Sequence, residues 1–209
     1  MVALVALELG SMVEITNVRV YDLQESVIAS RNAMRLTPPE YTEGEFIKSL
    51  KRAKALAKAK SGSGHDNWLK GVRVSFDIKY PNYFTPELQR YNFLDIVTSS
   101  SKMHKLTQMD MNACFNEYVT EYAKNLMKEL LEDYNNYPSY VNFMRLISNC
   151  PLGIELFMRC STNYLQLKTI YAQRKNHKLK QDWGAVIRMI QSLPYSEFIT
   201  GEESTHSDT

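Results

Sequence analysis

The stretch from Trp68 to Pro81, WLKGVRVSFDIKYP, places Val72, Val74, Phe76 and Ile78 at every second position, with charged or polar residues between them. Strict alternation is the mark of a half-buried strand, since successive side chains point to opposite faces of a sheet. Pro81 cannot donate to a ladder and stops the strand. A chain with such a segment has to build a sheet and cover one side of it. VEITNVRV, residues 13–20, alternates in the same way, is rich in β-branched residues and reads as a second strand.

Elsewhere the period is helical. Asp22 is placed to cap LQESVIASRNAMR, where Leu23, Val27, Ile28 and Met34 recur at helical spacing until TPPEYTEG breaks it. EFIKSLKRAKALAKAK, residues 45–60, is rich in helix formers and has a narrow apolar stripe of Phe46, Ile47, Leu50 and Leu56. Lys48, Lys51, Arg52, Lys54, Lys58 and Lys60 cover much of the rest. That basic surface is either a solvated face or a face turned to an anion, nucleotide cofactor or nucleic acid.

SGSGHDN is a flexible loop. TPELQRYNFLDIV is expected to be a helix, with Thr85 at the cap and Pro86 in the first turn, ending at TSSS. The spacing predicts the clearest helix over 111–134, and YVNFMRLISNC is a short one. IELFMRCS is either a strand or a continuation of that helix. YLQLKTIYAQRKNHKLK and WGAVIRMIQSL read as two further helices. The expected fold class is α+β: a small, mostly antiparallel sheet with several packed helices. Residues 12–200 form a single domain in this reading, preceded by an extension, 1–11, and followed by a disordered acidic tail, 201–209.

Composition narrows the function. With 25 Lys+Arg against 23 Asp+Glu among 209 residues, net charge is +2, which makes no strong case for nucleic acid or an anionic membrane as the main partner. No stretch approaches the ~20 apolar residues of a membrane span. Cys114, Cys150 and Cys160 are odd in number and far apart, as are the four histidines, so neither a disulfide framework nor a metal site is expected. Free thiols suit a reducing cytoplasm. There is no G-x-G-x-x-G, Walker loop, H-E-x-x-H or G-x-S-x-G.

The order of segments does carry a resemblance. GHDN at 64–67 stands where a G-H-x-S loop would be, and VSFDI at 74–78 matches a V-S-F-x-I strand. A signature of R-H-R, seven residues and a serine then falls on Tyr91, Asn92, Phe93 and Ser101, or one residue earlier on Arg90, Tyr91, Asn92 and Ser100. The second register keeps one of the three signature residues. LKTIYAQR, ending at Arg174, and DWGAVIR, ending at Arg188, are similar to a late helix and a Q-W-E-I-R segment. In these features residues 13–200 resemble the flavin-dependent thymidylate synthases, the thymidylate synthase complementing proteins, and in particular their divergent phage and Firmicute branch.

The resemblance implies methylation of dUMP to dTMP, with methylenetetrahydrofolate as carbon donor, bound FAD as hydride source and NADPH as its reductant. It implies a homotetramer with sites shared among subunits. It places nucleotide contacts at Arg90, Ser100, Ser101 and Arg174, and cofactor contacts at His65, Arg90 and Arg188. A non-catalytic relative that binds a nucleotide or flavin, as a sensor or phage accessory protein, fits the altered signature. A nucleic-acid interaction protein using helix 45–60 is the third reading.

Physically, a nucleotide phosphate is a dianion suited to arginine forks, hydroxyls and backbone N–H groups. Arg90 and Arg174 offer forks, and Ser99 to Ser101 offer hydroxyls. Equally, Arg90 is placed for a surface ion pair with Glu87 or Asp95. The serines fit a helix-ending loop, Arg174 a solvated basic helix end, and His65 a loop histidine with no role. Tyr80, Tyr83, Phe84 and Tyr91 suit either a wall for a flat ring or the core.

Overall fold

The structure, a computed structural model, describes residues 12–202. The expected extension 1–11 and all of the expected tail beyond Glu202 lie outside the described residues. Four strands form one antiparallel sheet in the order β1-β2-β4-β3: β1 Glu14–Tyr21, β2 Arg73–Pro81, β3 Asp95–Ser99 and β4 Glu155–Asn163. The α+β expectation matches this architecture.

The β2–β4 ladder is unbroken from Arg73 opposite Asn163 to Pro81 opposite Glu155. It faces Val74, Phe76, Ile78 and Tyr80 to the same side as Thr162, Cys160, Met158 and Leu156, and all eight are buried. The opposite face is polar apart from the exposed Phe157. There Arg159 Nη1 lies 3.0 Å from Asp77 Oδ1. A hydrogen bond from Asn17, together with Arg159, holds the Asp77 carboxyl below its ordinary range. Asn17 sits in a β1 irregularity between Thr16 and Arg19 with φ of 51°, a left-handed conformation that asparagine tolerates.

The buried face is covered by helices α1 Leu23–Ala29, α2 Glu43–Ala57, α7 Tyr164–Arg174, α8 Lys180–Gln191 and the short α9 Glu197–Thr200. Asn163 ends β4 and starts α7 at once, its side chain accepting from Gln166 N at 2.9 Å. Thr42 caps α2 in the same way. At the far end of α2, Lys168 Nζ donates to Ala57 O at 2.7 Å, to Ala59 O at 2.9 Å and to Asp66 Oδ2 at 2.8 Å. One ammonium thus closes a helix C-terminus and fastens the loop behind it.

Several expectations need correction. Asp22 has φ of 58° and makes no side-chain cap, so it turns β1 into α1 through a left-handed residue. The helix expected over 85–97 is a single turn, α3 Thr85–Leu88, followed by turns over 89–94 and then the edge strand β3 from Asp95. Ile96, Val97 and Thr98 are β-branched, and pairing with β4 outweighs the weak helical pattern. Ser100 prolongs that ladder: its N–H donates to Phe157 O and its hydroxyl accepts from Phe157 N. A last turn, α4, spans Lys102–Lys105.

The helix expected from 111 begins ten residues later as α5 Glu121–Asn136. Asp110 accepts from Asn112 N and Asn116 from Tyr118 N, and such local bonds compete with the helix until Thr120 caps it. The segment left open, 154–161, is strand β4. With α6 Tyr140–Asn149, α5 builds a second small core around Leu106, Met111, Phe115, Met127, Leu130, Leu146 and Ile154.

Gly153 stands where that core meets the sheet. A Cβ there would run into Val119 and Asn116 Oδ1. Gly153→Ala is expected to destabilise the protein by about 1–3 kcal/mol, as overpacking does. Gly44→Ala, on an open surface of α2 with nothing within 4 Å, should be neutral or stabilising by up to about 1 kcal/mol. Thermal melts of the two variants check the contrast.

Candidate functional site

The turn between α7 and α8 concentrates cations. Arg174, Lys175, Asn176, Lys180, Gly184 and Ile187 line a cavity of about 440 Å³, within the range of small-molecule sites. Arg188 lies one helical turn beyond Gly184, and a Cβ at Gly184 would stand 3.3 Å from Arg188 Nη1. The glycine therefore leaves room for that guanidinium beside the cavity. Three cationic side chains and one amide line a single hollow, with Arg188 beside it.

Arg174 is the anchor. It is only 9% exposed. Its Nη1 lies 3.0 Å from Glu87 Oε2, its Nε donates to the Tyr91 hydroxyl, and its guanidinium stacks 4.8 Å from the Trp183 ring centroid. The Tyr91 hydroxyl in turn donates to Gln173 Oε1 at 3.2 Å. Glu87 also meets Arg90 Nη2 at 3.6 Å and His177 Nε2 at 3.8 Å. One carboxylate thus gathers two arginines and a histidine, and the cluster keeps a surplus of positive charge.

Asp182, close in sequence, is engaged by Tyr83. Its carboxylate accepts from the Tyr83 hydroxyl at 3.2 Å. Burial pushes the Asp182 carboxyl up, against the lowering effect of that bond. Burial and the neighbouring Asp182 charge push the Tyr83 hydroxyl up as well.

A second cavity of about 330 Å³ adjoins the first through Lys175. Lys58, Ser61, Lys168, Tyr171 and Gly201 are among its lining residues. Lys168 is committed to its three acceptors, whereas Lys175 Nζ sits 5.4 Å from the Tyr171 ring centroid. His65 belongs to the nearby loop. Its residue is exposed, its N–H donates to Ser63 Oγ, and its neighbour Asp66 is buried on Lys168.

Of the residues singled out in the sequence, Arg174 and Arg188 come together at the first cavity. Arg90 joins them only through Glu87, and its side chain is 64% exposed. Ser100 and Ser101 lie elsewhere. β3 runs from Asp95, opposite Ser161, towards Ser99, opposite Met158, away from the β4 end that leads into α7. His65 lies on the loop by the second cavity. Sequence reasoning passed over Lys175, Asn176 and Lys180 as site residues, although RKNHKLK shows their cations in a row. It also placed Glu87 only beside Arg90. Among the described residues no group of three or more His, Cys, Asp or Glu is arranged to hold a metal.

An antiparallel four-stranded sheet with a cationic hollow at the end of the helix that follows its central strand defines an α+β fold of known type. The chain is similar to the crystal structure of the flavin-dependent thymidylate synthase of Helicobacter pylori complexed with FAD and dUMP: TM-score 0.64 at 15% identity, covering 87% of this chain and 94% of that one. A second structure of the Helicobacter pylori enzyme with FAD and dUMP gives a TM-score of 0.61 at 17% identity, covering 94% of this chain and 100% of that one. The fold is that of the flavin-dependent thymidylate synthases. No family model and no curated protein matches the sequence.

Replacing Glu87 leaves Arg174 buried without its counter-charge. Glu87→Gln is expected to cost about 3–5 kcal/mol of stability, the usual effect of breaking a buried pair. Arg90→Ala removes an exposed partner and should cost under about 1 kcal/mol. Urea unfolding midpoints of the two variants test whether Arg174 is the buried member of the cluster.

Proposed function

We propose that the protein binds a pyrimidine nucleoside monophosphate, dUMP or a close relative, in the cavity between α7 and α8. The observation that carries this is the lining of Arg174, Lys175 and Lys180 around one hollow of about 440 Å³, with Arg188 beside it at Gly184. The fold agrees, since the similar structures hold dUMP. A phosphate dianion answers such a set through charge-assisted hydrogen bonds. Asn176 offers both a donor and an acceptor to a pyrimidine edge. Arg174, fixed by Glu87, Tyr91 and Trp183, is pre-organised and loses little side-chain freedom on binding. Arg90 adds to the positive field from the rim.

Titration calorimetry with dUMP and with deoxyuridine tests the reading. dUMP should bind at least about tenfold more tightly, since the phosphate adds charge-assisted bonds. Lys180→Ala should weaken dUMP and leave deoxyuridine unchanged. Equal binding of the two ligands, or none of either, would overturn it.

A second reading is full thymidylate synthesis, in the manner of the divergent phage and Firmicute branch, with FAD, NADPH and methylenetetrahydrofolate. It is favoured by the likeness over 87% of the chain to a structure complexed with both FAD and dUMP. The cationic lining fits the phosphates of either nucleotide. The six residues lining this cavity include no aromatic side chain, so they do not fit a flavin ring.

In this reading Ser100, Ser101 and His65 reach the site only as contributions from neighbouring subunits of a homotetramer. Bound FAD would supply the hydride. Purified protein mixed with FAD and freed of excess should then retain a flavin absorption band. Its absence, with dUMP binding intact, leaves the nucleotide-binding reading alone.

A further inference from the structure

Basic residues of α2 and its C-cap that the nucleotide cavity does not use lie on one flank of the helix. Lys51, Lys54 and Lys58 are spaced i, i+3 and i+7, which stacks them along one ridge about 10 Å long. Lys51 and Lys58 are exposed. Lys58 lines the second cavity, Lys175 lines both cavities, and Lys180 lines the first. The ridge and the two hollows therefore make one cationic track.

The acids close to it are mostly engaged. Glu45 is paired with Arg35 and Lys48 at the other end of α2, Asp66 with Lys168, and Glu87 with Arg174. Glu202, which accepts from the Tyr171 hydroxyl at 3.0 Å, is the acid at the rim of the second cavity. A chain of net charge +2 thus gathers a local excess of cations on one side.

We propose that this track binds the phosphodiester backbone of single-stranded nucleic acid. A row of regularly placed cations along one ridge matches a polymer of evenly spaced anions. The track dips into two hollows, which a flexible strand can follow and a stiff duplex cannot. The inference goes beyond mononucleotide binding and does not depend on it, because Lys51 and Lys58 do not line the first cavity.

The test is fluorescence anisotropy of a labelled thymidine oligonucleotide of about 20 nucleotides over a salt series, a length that exceeds the site size of one small domain. Binding should weaken with salt at a logarithmic slope of about −0.7 per phosphate engaged. The double variant Lys51→Glu, Lys58→Glu should bind at least about tenfold more weakly and flatten the slope by about one or more. Lys105→Glu, an exposed charge reversal on α4, should bind as the parent does.

Failure of the parent to bind at low salt, an unchanged double variant, or an equal loss in the Lys105 variant would each overturn the proposal. So would complete displacement of the oligonucleotide by dUMP alone, which would place the strand in the first cavity only. Calorimetry with dUMP on the double variant separates the two readings: unchanged dUMP binding with lost oligonucleotide binding assigns the loss to the track.

Discussion

The ladder between β2 and β4 is the constraint from which the rest of the chain takes its position. Nine consecutive pairs fix the register, and alternation then decides which side of the sheet is dry. A slip of one residue would expose Val74, Phe76, Ile78 and Tyr80 and bury Arg73, Asp77 and Lys79. Because α7 begins at the last paired residue of β4, the register also sets where α7 points. Tyr164 confirms the geometry from both ends: its N–H donates to Val72 O, and its hydroxyl to Pro194 O.

From that starting point α7 acts as the fastening rod of the domain through two cations. Lys168 ties the end of α2 and the loop before β2 to the rod, and Arg174 ties α3 to it through Glu87 and Tyr91. Both are buried enough that their partners are obligatory. The position of the candidate site follows from this division of labour. Lys168 spends all of its donors on structure, whereas Arg174 is anchored on one side and borders a cavity on the other.

Much of the sheet could be read directly from residues 13–20 and 68–81, because the period of two is strict over 72–78 and is interrupted only around Asn17 in the first strand. β3 could not, since its five residues are too few to show a period and all are exposed in the single chain. What made it a strand is β4, which lies far along the sequence. The late helices were legible, and with them Arg174 and Arg188. The site around them was less so. Glu87 and Tyr91 reach Arg174 from across the fold, and no local pattern announces a contact of that kind. The serines show the opposite case: a run that suggested a phosphate cradle is, in one chain, a continuation of an edge strand. His65, too, is displayed by its loop without a side-chain partner that fixes a role.

The second core, around Met127, Leu130 and Leu146, lies in the stretch of chain between β3 and β4. This has a consequence for the order of events on the ribosome. β1 and β2 emerge early and can pair, but β2 then waits with an open edge until β4 has been made. At about 5–20 residues per second that interval lasts several seconds. The helical hairpin of α5 and α6 is made in the interval and relies on nearby contacts, which form quickly. Its last core residue, Ile154, bridges to Phe115 and immediately precedes β4. The small core thus works as an assembly jig: it sets down the first residue of the late strand beside the loop that receives it, before the slow, distant pairing begins.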